Sequence, residues 1–224
     1  MQMTVKDAAQ ALKVADKTIY RWIQGAGLPA YRVAGQYRIN RAMLFEWASG
    51  KRLNFSSNLA AEDPPADAAL PTAADALRAG GIHRGLRGAT VEDVLREVSR
   101  IAAIPENIDR DLLFHTMLAR ENLQSTGVGD GVAIPHVRNP AVLEVSSPLA
   151  MLCSLAEPIE FHALDGKRVD RLFVLLTPTV RIHLHLLSRI SFALREPAFK
   201  AVLRAMPGDE AIYGAFAAAT ADPS

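Results

Sequence analysis

The chain has a single cysteine, Cys153, in 224 residues. One thiol excludes an internal disulfide and any cysteine-built metal site, and a reducing compartment is its natural setting. No apolar run approaches the roughly 20 residues that a membrane-crossing helix needs, the longest clean one being Leu172 to Leu176. The N-terminus opens polar and periodic, with no basic stretch leading into an apolar one. An unexported cytoplasmic protein without membrane contact is therefore expected. Internal repeats are absent, and net charge is nearly so, at +1. What is present is apolar bulk: hydrophobic residues make up 50% of the chain, enough for a real core and for one or two domains.

The small net charge conceals an asymmetry. Residues 1–55 hold nine Lys or Arg against three acids, and the remainder holds 16 against 21. A basic head on an acidic body points to two tasks, with the head facing a polyanion. From Ser56 to about Gly81 the sequence reads "SSNLAAEDPPADAALPTAADALRAGG", rich in Ala, Pro, Asp and Ser with little to bury. The expected organisation is a basic head over 1–55, a linker over 56–81 and an α/β domain over 82–224.

In the head, Val5, Ala8, Ala9 and Leu12 recur at helical spacing, with Thr4 placed to cap them. Asp16 is placed to cap a second helix, whose Ile19, Trp22 and Ile23 face inward while Lys17, Arg21 and Gln24 share the outer face. Two short helices and a tight turn, the second helix basic outside, predict helix-turn-helix geometry. In "YRVAGQYRI", a three-residue loop Ala34-Gly35-Gln36 puts Tyr31, Val33, Tyr37 and Ile39 on one face and sets Arg32 opposite Arg38. Like charges facing each other across strands make sense against a phosphate backbone. "RAMLFEWA" predicts a third helix burying Met43, Leu44 and Trp47.

The stretch from Thr4 to about Ser49, with "GLPAYRV" and the "YRI" strand before a helix ending in Trp, resembles the excisionase-like, MerR-related winged helix-turn-helix family. The resemblance implies a mainly α unit with a β-hairpin wing that binds DNA. Lys17, Thr18 and Arg21 are its candidates for groove contacts, and Arg32, Gln36 and Arg38 for the wing. One such head covers little DNA, so a homodimer or tandem sites are expected. The alternative is a helix-turn-helix reused as a protein-interaction module.

The body alternates elements. Thr90 and Asp93 form a capping box that opens a helix at "VEDVLREVSRIA". Another helix is expected over Asp109 to Asn122, and "VAI" before His136 reads as a short strand. "PLAMLCSL" and "RLFVLLT" have the length of buried strands, with Asp165-Gly166 between them as a turn. Helices follow over "IHLHLLSRISFALRE" and from Asp209 to about Ala219. A mixed sheet flanked by helices is the expected architecture.

"TGVGDGVAIPHVRNP" carries three glycines and then His136. That histidine reads as a packed core residue, a metal ligand or a nucleophile. His183 and His185 diverge too far around a helix to chelate one ion together. The local chemistry suits the nucleophile, because Gly127, Gly129 and Gly131 let backbone amides approach an anion and Pro135 stiffens the approach to the ring. The stretch lacks the Lys-Ser/Thr ending of a nucleotide-binding P-loop. His83, His115, His162 and His185 read as ordinary residues.

"LARENLQSTGVGDGVAIPHVRNP", followed by "EFHALDGKRVDRLFVLLTP" and "HLHLLSRIS", resembles the enzyme IIA domain of the bacterial phosphotransferase system, in its fructose, mannitol and nitrogen-regulatory branch. The likeness covers roughly residues 82–219. It implies that His136 accepts phosphate at Nε2 from a histidine phosphocarrier protein, with Arg120 beside it, His183 supporting the phosphoryl group, and no metal or other cofactor. Enzymatic activity would be that of a phosphohistidine carrier at most. Periodicity agrees independently: Arg120 shares a helical stripe with Leu113 and Met117, and His183 with Leu187, Ile190 and Leu194. Val137 departs from the small residue common in the family, which raises the prospect of an altered docking surface. With both modules on one chain, the expected function is a phosphotransferase-linked transcription regulator controlled at His136. The alternatives are a phosphocarrier transferase with the head as a tether, and a DNA-binding protein whose body is never phosphorylated.

Overall fold

The computed structural model describes residues 2–33, 35–40, 44, 47–48, 68–106, 108–137, 140–143 and 145–221. The head begins with strand β1 (Gln2–Thr4), helices α1 (Val5–Ala11) and α2 (Asp16–Gly25), and strands β2 (Tyr31–Val33) and β3 (Gln36–Asn40). Thr4 caps α1 through a reciprocal box: its hydroxyl accepts from the Asp7 amide at 3.1 Å, and the Asp7 carboxylate accepts from the Thr4 amide at 2.9 Å. The second expected cap is corrected. Ala15 occupies the N-cap of α2 and Asp16 is the first helical residue, where its charge faces the positive helix end without a side-chain capping bond.

The hairpin register is also corrected. Tyr31 pairs with Arg38, Arg32 with Tyr37 and Val33 with Gln36, so two residues rather than three separate the paired positions. Gly35, at φ +79, adopts the left-handed backbone that such a short turn demands. This register does not set Arg32 opposite Arg38. The physical reason is β1, which the sequence reading missed. It pairs with β3 and sets Met3 opposite Ile39, both buried, so the inner face is completed from the other edge of β3. Arg32's side chain and Met43 lie outside the described residues. Leu44 is buried, and Trp47 packs on Trp22 while its indole N–H donates to the Ala26 carbonyl at 3.0 Å.

The stretch expected to be linker differs at its C-terminal end. Residues 73–80 form helix α3 (Ala73–Gly80), capped by Thr72, with Ala73, Ala76 and Leu77 buried in the body. The body continues through β4 (Ile82–Leu86), α4 (Val91–Ile101), α5 (Arg110–Leu123), β5 (Gly127–Gly129), β6 (Val132–Ala133), β7 (Leu149–Ile159), β8 (Val169–Leu176), α6 (Val180–Ala193), α7 (Pro197–Ala205) and α8 (Asp209–Thr220). Thr90 and Asp93 make the expected capping box on α4, and Asp109 caps α5.

The five body strands form one mixed sheet in the order β4-β7-β8-β6-β5. β4 runs parallel to β7 and β6 parallel to β8, while the β7–β8 and β5–β6 pairs are antiparallel. Alternation along β8 divides the core between two layers. Leu172, Val174 and Leu176 face a cluster with Val98, Phe114 and Met117 of α4 and α5. Phe173 and Leu175 face a second cluster with Leu77, Leu186, Phe199 and Phe216 of α3, α6, α7 and α8. Burial on both faces explains why β7 and β8 read as continuous apolar runs rather than alternating ones. Among the described residues no helix is long and apolar enough to cross a membrane.

Candidate functional site

The site lies where β6, β8, α5 and α6 meet. Beyond β6 the chain stays beside β8: the Leu175 amide donates to the Pro135 carbonyl at 3.0 Å, and His136 bridges Leu175 in the parallel sense. The preceding turn is fixed by Glu121, whose carboxylate accepts from the Thr126 amide at 2.9 Å and the Thr126 hydroxyl at 2.5 Å. The Thr126 carbonyl in turn accepts from the Ile134 amide at 3.0 Å. This chain of bonds places the Ile134 carbonyl so that His136 Nδ1 donates to it at 2.7 Å.

That bond settles the tautomer. A carbonyl oxygen can only accept, so Nδ1 carries the proton and a neutral ring leaves Nε2 with its lone pair. Arg120 Nε donates to Nε2 at 3.1 Å, and Arg120 Nη1 donates to the Gln124 carbonyl at 2.7 Å. The guanidinium is thus held at the nucleophilic atom and anchored to its own helix end. The His183 ring lies 5.1 Å from that of His136, centre to centre, tilted by 45°. Thr177 Oγ1 stands 3.4 Å from His183 Nδ1.

Electrostatics keep both rings neutral near pH 7. Burial pushes His136 below the ordinary imidazole value; its bond to Ile134 pulls upward, and the Arg120 charge presses it down further. His183 is pushed down to about 4, chiefly by burial and then by His136 and Arg120. A neutral imidazole beside a fixed cation is suited to attack an anionic electrophile. Among the described residues no group of three His, Cys, Asp or Glu side chains is placed to hold a metal ion.

Of the sequence candidates, the fold brings His136, Arg120 and His183 together. Lys17 and Arg21 are exposed on α2 with Thr18 half-buried, and Gln36 is exposed and Arg38 half-buried on β3. The glycine loop has a different use from the one expected. Gly129 and Gly131, at φ +96 and +79, turn the β5–β6 hairpin, and the Asp130 amide between them donates to Asp165 at 2.9 Å. The Gly127 amide is likewise committed, donating to Ser125 Oγ at 3.0 Å. Val137 is also corrected: it is 1% exposed and packs into the α4–α5 layer, so it does not shape a docking surface. Sequence reasoning missed Glu121, Thr126 and Thr177. Glu121 stands next to Arg120 within the block that carries the resemblance, which was the available signal.

Comparison with known proteins places this geometry. Residues 76–218 match the family described as phosphoenolpyruvate-dependent sugar phosphotransferase system, EIIA 2, and residues 3–52 match a helix-turn-helix domain. A nitrogen regulatory protein from Pseudomonas aeruginosa is 39% identical over 130 residues, 56% of this chain and 82% of the relative. The crystal structure of nitrogen regulatory protein IIA-Ntr from Neisseria meningitidis superimposes with a TM-score of 0.57 at 26% identity, over 64% of this chain and 97% of the other. The mannitol IIA structure from Escherichia coli, at 18% identity and a TM-score of 0.51 over 60% and 94%, shares the fold. The matched segment takes in more than half of the sequence and contains His136, Arg120 and His183, and the chain belongs to the EIIA 2 family of the phosphotransferase system, with a helix-turn-helix domain ahead of it.

Proposed function

We propose that this chain is a cytoplasmic phosphocarrier of the nitrogen-regulatory IIA kind, which accepts a phosphoryl group at His136 Nε2 from a histidine phosphocarrier protein. The observation that carries the reading is the fixed tautomer: Nδ1–H bound to the Ile134 carbonyl, with the Nε2 lone pair facing Arg120. In the transfer, the bond between donor nitrogen and phosphorus breaks as the bond from Nε2 to phosphorus forms. The donor ring regains its lone pair, and His136 keeps its Nδ1 proton. Arg120 gives up Nε2 as the donor docks and turns its N–H groups to the phosphoryl oxygens, while Thr177 satisfies Nδ1 of His183 and leaves the other ring nitrogen for the incoming group. Positioning and charge stabilisation supply the catalysis, and the organic step needs no cofactor.

The test is incubation with phosphoenolpyruvate and the general phosphotransferase proteins, followed by peptide mapping under conditions that preserve phosphohistidine. Label on His136 is expected; label elsewhere, or none, sinks the assignment.

A second reading concerns what the phosphate is for. The exposed Lys17 and Arg21 on the outer face of α2, in a head holding nine basic residues against three acids, favour DNA binding. On this reading the chain regulates transcription as a dimer or on tandem sites, and the state of His136 sets the outcome. Comparing the DNA affinity of the phosphorylated and unphosphorylated chain decides it: equal affinities, with unchanged output in cells carrying His136→Ala, leave only the carrier.

A further inference from the structure

A well-formed cavity of the body is remote from His136. A cleft of about 530 Å³ opens at the other end of the same pair of strands, between the β5–β6 hairpin, the start of β8, the end of α6 and α7. Val132 pairs with Arg171 at this end, and His136 bridges Leu175 at the other. Arg171 and Leu175 are four steps apart along β8, about 13 Å at the usual rise of a strand.

The cleft concentrates positive charge in a body that is acidic overall. Six cations line it against two acids, Asp130 and Asp170. Some of that charge is already answered. Asp130 takes Lys200 at 2.8 Å and Lys167 at 3.0 Å, and the two ammonium groups hold its carboxyl down at about 2. Arg171 pairs with Asp170 at 2.6 Å and braces the wall by donating to the Leu203 carbonyl at 3.1 Å. Arg168, Arg195 and Arg204 remain: all three are exposed, and none makes an ion pair among the described residues. Behind them the floor is apolar, made by Leu194, Leu203 and Val132, with Val128 left 53% exposed on the hairpin at the mouth.

Three guanidiniums without acids, around an apolar floor in a concave space of this size, define a ligand in chemical terms. We infer that this cleft binds a small polyanion built on a flat ring, the chemistry of a nucleoside di- or triphosphate. The ring lies on Val128 and Leu194, and the phosphates take Arg168, Arg195 and Arg204. A closed-in space with an apolar floor favours a small molecule over a nucleic-acid backbone, which would need a charged groove long enough to follow successive phosphates.

The inference stands apart from the phosphoacceptor role of His136, and its test keeps them separate. The full-length protein is titrated calorimetrically with ATP, AMP and pyrophosphate. ATP is expected to bind at least tenfold more tightly than either of the others, because AMP lacks the phosphates and pyrophosphate lacks the ring. Arg168→Ala with Arg204→Ala should weaken ATP at least tenfold while leaving label transfer to His136 unchanged, and Val128→Ser should erase most of the advantage of ATP over pyrophosphate. His136→Ala should bind ATP as the parent does. Absence of ATP binding at millimolar concentration, or equal binding by the arginine variants, overturns the inference. So does loss of binding on His136→Ala, which places the nucleotide at the other end of the sheet. If the arginine variants weaken duplex DNA but not ATP, the cleft belongs to a nucleic-acid surface and the inference falls.

Discussion

The head and the body hold their candidate functional groups in opposite ways. In the body, His136, Arg120 and the Glu121–Thr126 pair are bonded to one another and drawn away from water, so that each fixes the geometry of the next. In the head, Lys17, Arg21 and Gln36 stand exposed on α2 and β3. The difference fits the two tasks proposed for them. A nucleophile needs one tautomer, one orientation and a fixed dipole or charge where negative charge gathers, all of which burial strengthens. Binding to a polyanion draws on counterion release, which needs cations in solvent and little preorganisation. One region is therefore sensitive to single atoms and the other to summed charge.

Breaking the body side should have the largest effects. His136→Ala removes Nε2 and should abolish phosphoryl acceptance from the donor protein, read as loss of acid-labile label with the fold retained by circular dichroism. Arg120→Ala removes the cation at Nε2 and should slow transfer by about 10²-fold, the scale seen when one preorganised donor is deleted from a transition state. Arg120→Lys should recover only part of that rate, since a point charge cannot hold Nε2 and the Gln124 carbonyl together. Both are measured as single-turnover rates; equal rates for the parent and Arg120→Ala would show that the guanidinium only shapes the loop.

The buried second histidine gives a pH test. Its folded value of about 4 lies below the ordinary imidazole value of 6.5. The unfolded chain therefore binds the extra proton first, and stability is intact above about pH 6.5 and drains away as pH falls toward 4. The whole effect of a shift of this size is about 3 kcal/mol. Urea unfolding at pH 7.5 and 4.5 should show the greater part of that loss in the parent, and His183→Asn should remove most of it. His136, also held below its ordinary value, contributes a remainder of the same sign.

The same contrast decides what could be read beforehand. The candidate site was legible because three blocks distant in sequence carry the family resemblance and each supplies one group, with Arg120 and His183 on stripes of apolar residues that aim them inward. Glu121 escaped notice because an acid on a helix next to an arginine reads as surface, and only the fold shows it holding Thr126. Helix α3 escaped for a different reason. "AADALRAG" is made of small residues that carry no strong pattern, yet smallness is what lets the helix sit against β7: a Cβ on Gly80 would lie 2.2 Å from the Ala150 carbonyl oxygen. The hairpin register failed because it was decided from two strands, when the third, β1, sets which face is buried. In each case the missing information was a neighbour from elsewhere in the chain.

The head should yield the smallest single effects, and their form matters more than their size. If Lys17 and Arg21 act through phosphates, replacing either by Ala should weaken every duplex alike, by about tenfold at moderate salt, and should reduce the slope of log affinity against log salt by about 0.9 per contact. If Arg21 instead reads a base edge, Arg21→Ala should leave the slope unchanged and cost about 1–3 kcal/mol on one sequence only. Thr18, half-buried in the first turn of α2, separates the cases further. Its hydroxyl carries no charge, so Thr18→Ala can alter sequence preference but not the salt slope. A head in which none of the three substitutions moves either quantity does not use α2 to hold DNA, and the regulator reading would then lose its physical basis while the proposed phosphoacceptor role of His136 stood untouched.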